Sequence, residues 1–130
     1  MSESHFEGIK VAVIDDDDSD LESAESILKE AGCDVVTAID GFESLSKVTD
    51  VQPNLIFVDV MMPRLDGYKT CFLLKNNDAF KKTPIVMLLE KDSVFEHARA
   101  KLVGADDYLI KPFTKDNILS SLKSYVVDIK

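Results

Sequence analysis

The sequence predicts a three-layer α/β/α sandwich around a parallel sheet, and three observations carry that reading. Apolar runs of strand length alternate with stretches at helical spacing along the whole chain, the pattern of successive βαβ units. The runs are almost continuously apolar, as in strands covered by helices on both faces. Three of them end in charged residues: Val11–Ile14 in Asp15 and Asp16, Leu55–Val58 in Asp59, and Tyr108–Ile110 in Lys111–Pro112. In parallel strands of one sheet, these ends meet at the carboxyl edge, where open α/β folds bind ligands.

The elements follow in order. Ile9–Ile14 is the first strand. Ser19 with Glu22 reads as a capping box, and Leu21, Ala24, Leu28 and Ala31 form a helical stripe ending at Gly32. Asp34–Ile39, rich in β-branched residues, is the second strand. Asp40 with Glu43 caps a short helix carrying Phe42, Leu45 and Val48. Leu55–Val58 is the third strand, entered after Pro53. Met61 to Gly67 is a loop punctuated by Pro63 and Gly67, and a helix to about Asn76 carries Tyr68, Cys71, Phe72 and Leu74. Pro84 opens the fourth strand, Ile85–Leu89. Ser93 with Glu96 caps a helix whose Phe95, Ala98 and Leu102 line one face up to Gly104. Asp107–Ile110 is the fifth strand. Thr114 starts the last helix, with Ile118, Leu119, Leu122 and Val126 facing inward. Five βα units favour a doubly wound, flavodoxin-like sheet with strand order 2-1-3-4-5, in which strands one and three end side by side at the switch point.

Length and composition narrow the function. A chain of 130 residues makes one domain, expected over 9–127, with a flexible leader at 1–8 and a tail at 128–130. The 45% hydrophobic and 30% charged shares suit a globular protein. No apolar stretch approaches the ~20 residues of a membrane span, and the acidic leader lacks signal-peptide character, so the cytoplasm is expected. A net charge of −9 argues against nucleic acid and favours cations or a basic protein surface. Cys33 and Cys71 match neither metal-ligand nor redox spacing and read as reduced, partly buried thiols.

Carboxylates gathered at one edge repel: two of them ~4 Å apart cost about 4 kcal/mol at an effective dielectric near 20. Asp15, Asp16 and Asp59 therefore imply a bound cation, shifted pKa values, or both. Mg²⁺ suits such hard oxygen ligands and keeps waters that a phosphate can displace. Asp59, alone at its strand end before an open loop, is the candidate nucleophile toward phosphorus. Lys111 offers a mobile charge for a phosphoryl oxygen or a carboxylate. The Lys111–Pro112 bond is open to either isomer.

Three motifs together, V-I-D-D at Val13–Asp16, V-D-V-M-M-P-R-L-D-G at Val58–Gly67 and Y-L-I-K-P-F at Tyr108–Phe113, resemble the receiver domain of the CheY-like response-regulator family over residues 9 to 127. Gly32–Leu45 and Tyr68–Leu88 further resemble stand-alone receivers of type IV pilus and twitching-motility systems. The resemblance implies that Asp59 accepts a phosphoryl group from a histidine kinase or a small phosphodonor. It implies that Asp16 and Asp59 bind Mg²⁺ directly, Asp15 through water and Met61 through its carbonyl. Lys111 is then the phosphoryl contact and Tyr108 the aromatic switch residue. With no further module after Lys130, output is expected through a protein contact on the face of the fourth helix, fifth strand and fifth helix.

The fourth strand departs from the family. Receivers end it with Thr or Ser followed by a small residue; here Leu89 takes the hydroxyl position and Glu90 the small one. A hydrogen bond to a charged group is worth roughly 1.5–3 kcal/mol, comparable to a whole allosteric coupling of about 1–3 kcal/mol. Glu90 either adds a charge to the site or points to solvent. Two further readings follow: a pseudo-receiver adaptor that works regardless of phosphorylation, and an aspartate-nucleophile phosphohydrolase, which lacks its D-x-D-x-T pattern at Asp59. Asp17 and Asp18 read as a solvated loop or helix N-terminal charge rather than further ligands. His97 reads as a surface residue rather than a relay histidine, and Lys81 and Lys82 as a solvated loop.

Overall fold

In the computed structural model, residues 6–62 and 65–126 are described. Residues 1–5 of the leader, the Pro63 punctuation of the loop and the carboxyl tail lie outside them. The elements are β1 (Lys10–Ile14), α1 (Asp18–Glu30), β2 (Asp34–Ala38), α2 (Gly41–Val51), β3 (Leu55–Asp59), α3 (Gly67–Lys75), β4 (Ile85–Leu89), α4 (Val94–Leu102), β5 (Asp107–Ile110) and α5 (Lys115–Val126). All strand pairs are parallel, in the order β2-β1-β3-β4-β5. The expected sheet is the observed one.

Alternate residues of each central strand feed two separate apolar layers, as the two-residue period of a pleated strand requires. Val11, Val13, Leu55, Phe57, Val86 and Leu88 join Leu21, Ala24, Leu28, Cys33, Ile118, Leu122 and Val126, the layer of α1 and α5. Ala12, Ile14, Ile56, Val58, Ile85, Met87 and Leu89 face the other way, against Val48, Cys71, Leu74 and Ala100 of α2, α3 and α4. The same alternation, carried one step past the apolar run, continues the α1/α5 side from Val13 to Asp15 and from Phe57 to Asp59.

Helix caps follow side-chain chemistry, with one correction. The α1 cap is Asp17, which accepts the Asp20 amide at 2.9 Å, not Ser19 with Glu22. A carboxylate two residues earlier outcompetes the serine hydroxyl because it satisfies the first free N–H groups and complements the helix dipole. Asp40 and Ser93 cap α2 and α4 as expected, and Thr114 and Asn117 exchange reciprocal bonds at the start of α5. The apolar faces expected of three helices are less buried than their spacing implies. Phe42 and Phe72 are half exposed, and on α4 Phe95 and Leu102 are 66% and 82% exposed. Here α4 turns its small residue, Ala100, inward and seats the polar Glu96 and His97 against tyrosines.

Gly67 joins the fold to the site. A Cβ added there would lie 2.0 Å from the Asp59 carbonyl oxygen and 2.8 Å from Val60 Cα, both backbone atoms. Only glycine lets α3 start this close to the end of β3. Gly67→Ala is therefore expected to destabilise the protein by about 2 kcal/mol or more, read as a lowered denaturant midpoint.

Candidate functional site

Three strand ends at the carboxyl edge of the sheet bring the site together. Asp15 follows β1 and is fully buried, Asp59 ends β3 at 1% exposure, and Lys111 follows β5. The backbone fixes each strand end: the Asp15 amide donates to Ala38 O (3.0 Å), Val60 to Leu88 O (3.2 Å) and Lys111 to Leu89 O (2.8 Å). The Lys111–Pro112 peptide is cis, which spacing alone left undecided.

The Lys111 ammonium is the hub. Its Nζ lies 3.0 Å from Asp15 Oδ2, 3.0 Å from Asp59 Oδ1, 2.8 Å from Asp20 Oδ2 and 3.8 Å from Glu90 Oε2. One cation thus faces four carboxylates. Asp20 went unrecognised in the sequence: it sits on α1, and no local signal ties it to Lys111. Asp17 and Asp20 serve the cap of α1, in agreement with a helix N-terminal role for Asp17.

Titration follows from this geometry. The pKa of Asp59 is raised to about 7, chiefly by burial and then by Asp15, with Lys111 opposing both. Asp15 is raised too, chiefly by burial, against the Asp17 amide and Lys111. Burial works against the charge on Lys111, but Asp20, Asp15 and Asp59 outweigh it and its pKa ends above the ordinary value.

The donor set fits a hard divalent cation. Carboxylate oxygens of Asp15, Asp16 and Asp59 lie within 4.8 Å of one another. Asp15 Oδ2 and Asp59 Oδ1 are buried and, beyond their ion-pair contact with Lys111, accept no hydrogen bond of good geometry. One ammonium shared between two buried carboxylates leaves negative charge for a cation to balance. Asp16, Asp59, Met61, Glu90, Lys111 and Pro112 line an open pocket of about 480 Å³. Met61 is 64% exposed at its rim.

The pocket gathers Asp16, Asp59, Met61 and Lys111, while Asp15 lies beneath it. Leu89 stands apart: it is fully buried in the α2/α3/α4 layer and is not part of the pocket wall. Glu90, half exposed, lines the wall, so of the two readings the structure supports added charge at the site. Tyr108 lies on β5, half-buried against that layer, its hydroxyl at His97 Nδ1. His97 is no bare surface residue, being held between Tyr108 and Asp92.

A sheet of this order, with acidic β1 and β3 ends facing a lysine after β5, defines a receiver domain. The chain belongs to the response regulator receiver domain family, whose model matches residues 11–123. It is 55% identical over 124 residues to protein PilG of Pseudomonas aeruginosa, covering 95% of this chain and 92% of that one. It is 38% identical over 115 residues to the alkaline phosphatase synthesis transcriptional regulatory protein PhoP of Bacillus subtilis, of whose length the match covers 47%. Among solved structures, the chemotaxis protein CheY4 of Vibrio cholerae superimposes with a TM-score of 0.87 at 33% identity, over 91% of this chain and 98% of that one. The protein is thus a receiver of two-component signalling. No helix among the described residues is long and apolar enough to cross a membrane.

The raised pKa of Asp59 has a consequence for stability. Its carboxyl titrates near 3.8 when unfolded and about 7 when folded, so the folded state holds the proton more tightly. The stability this provides is complete below the unfolded value and is lost as pH rises through about 7. Asp59→Asn, metal-free in chelator, is therefore expected to raise Tm by roughly 3 °C or more at about pH 8, with the gain shrinking toward about pH 5. Calorimetry across pH checks it.

Proposed function

We propose that the protein is a single-domain response regulator, with residues 9–127 as the receiver, whose Asp59 accepts a phosphoryl group and which signals by protein contact. The observation that carries this is the Lys111 ammonium 3.0 Å from Asp59 Oδ1 at the floor of an open pocket. A carboxylate oxygen of Asp59 attacks phosphorus as the donor's bond to phosphorus breaks, releasing acetate from acetyl phosphate or imidazole from a phosphohistidine of a kinase. Lys111 turns from the carboxylates to a phosphoryl oxygen, and burial holds Asp59 away from competing water. Asp16 and Asp59, with Asp15 behind them and the Met61 carbonyl, are the groups assigned to Mg²⁺. When bound, that ion supplies charge neutralisation for carboxylates and phosphoryl oxygens at once. Likeness to PilG, together with the motifs, supports a place in a pilus or twitching-motility system in the cytoplasm. The partner surface assigned is the face of α4, β5 and α5, where Val94, Phe95 and Leu102 stand exposed.

A second reading, a pseudo-receiver adaptor, is favoured by one observation: Leu89 brings no polar atom to the pocket. Incubation with Mg²⁺ and acetyl phosphate separates the two. Intact mass is expected to show one added phosphoryl group, absent in Asp59→Asn. No adduct, even with the cognate kinase, overturns the phosphoacceptor reading; an adduct without effect on partner affinity favours the adaptor.

Glu90 also yields a prediction. Its carboxylate 3.8 Å from Lys111 opposes an incoming anion while half in water, an effect on the order of 1 kcal/mol. Glu90→Ala is expected to speed adduct formation by acetyl phosphate about fivefold, measured as the initial rate by mass.

A further inference from the structure

The segment between the pocket and α4 joins the two by polar contacts that the phosphoacceptor reading does not use. His97 of α4 lies flat on the Tyr108 ring of β5, with centroids 4.2 Å apart and planes at 18°. Its Nε2 is 2.7 Å from Asp92 Oδ1 and its Nδ1 is 3.2 Å from the Tyr108 hydroxyl. An ionised carboxylate only accepts, so in the neutral imidazole Asp92 places the proton on Nε2 and leaves Nδ1 to accept from the tyrosine. Asp92 is two residues from Glu90, which faces Lys111.

We propose that His97 is a positioning residue that holds Tyr108 in its resting orientation, and that Glu90–Asp92 links this clamp to the Asp59 pocket, in place of the hydroxyl that Leu89 lacks. The proposal rests on the phosphoacceptor reading of Asp59. Of the nine residues of α4 only Ala100 is buried, so polar clasps set the helix position: Tyr68 to Glu96 on the α3 side and Tyr108 to His97 on the β5 side. Such a helix moves at low cost. The start of the link is electrostatic. When Lys111 turns to a phosphoryl oxygen, Glu90 loses a cation and meets an anion, and is driven outward. Leu89 stays in place, buried and bonded through its carbonyl to the Lys111 amide, so the displacement begins at Glu90 and carries Asp92 with it. Nε2 then loses its acceptor, and Tyr108 its clamp.

A clamp made in the resting state holds the population there, so removing it favours the phosphorylated state. The test uses the full chain with Mg²⁺ and beryllofluoride as the phosphoryl mimic. His97→Phe, which keeps an aromatic ring but no acceptor, and Tyr108→Phe, which keeps the stacking but no hydroxyl, are each expected to tighten apparent beryllofluoride affinity about fivefold or more. In the wild type, imidazole ¹⁵N shifts are expected to report the Nε2-protonated tautomer and to change on saturation. Unchanged or weakened affinity in both variants, with native circular dichroism, overturns the proposal, as do His97 shifts that stay fixed at saturation. If the wild type fails to bind beryllofluoride, or Asp59→Asn binds it equally well, the phosphoacceptor reading falls and the clamp with it. Tight wild-type binding with unaltered variants removes the clamp alone.

Discussion

One ammonium group holds the carboxyl edge of this protein together. Lys111 faces Asp15, Asp20, Asp59 and Glu90, and without it the buried carboxylates of Asp15 and Asp59 would have no cation to balance them. Coulomb repulsion there, about 4 kcal/mol per close pair at an effective dielectric near 20, is comparable to much of the stability of a small domain. The sheet order is what makes the arrangement possible, bringing the ends of β1 and β3 side by side while β5 supplies the lysine from across β4. In the proposed phosphoacceptor reading, the same cation turns to an incoming anion. The contact that balances the buried carboxylates is in that reading also the one that responds.

The strands, their order and the residues Asp15, Asp16, Asp59 and Lys111 were legible because their signals are local. An apolar run that stops at a charge announces both the strand and its end. What was hidden depends on distant partners. Asp20 looks like any first-turn helix acid until the fold brings Lys111 to it. The stripe Phe95, Ala98 and Leu102 has helical spacing, but periodicity does not tell which face turns inward when the other carries Ala100 and residues that bond to tyrosines. His97 was read as surface for the same reason. Ser19 lost the cap to Asp17 because the carboxylate sits closer to the helix start, a competition within three residues that composition does not decide.

The end of β4 separates two tasks that receivers usually combine. Leu89 extends the apolar layer to the last residue of the strand, firm and unpolar. Polar side chains that reach Lys111 and His97 begin only in the loop beyond, at Glu90 and Asp92. A rigid strand end beside a polar loop is a hinge by construction, since the strand resists displacement and the loop, with exposed side chains, does not.

Cys33 and Cys71 lie in different layers, one under α1 and α5, the other under α2, α3 and α4, with the sheet between them. Burial pushes their thiols up to about 11 and about 12, so neither reacts while its layer is closed. No disulfide can join them within one folded chain, and oxidants in the cell find little to attack. Each thiol is instead a built-in clock for its own side of the sheet. Modification of Cys71 ahead of Cys33 records the α4 side breathing by itself; modification of both in step records the molecule opening as a whole.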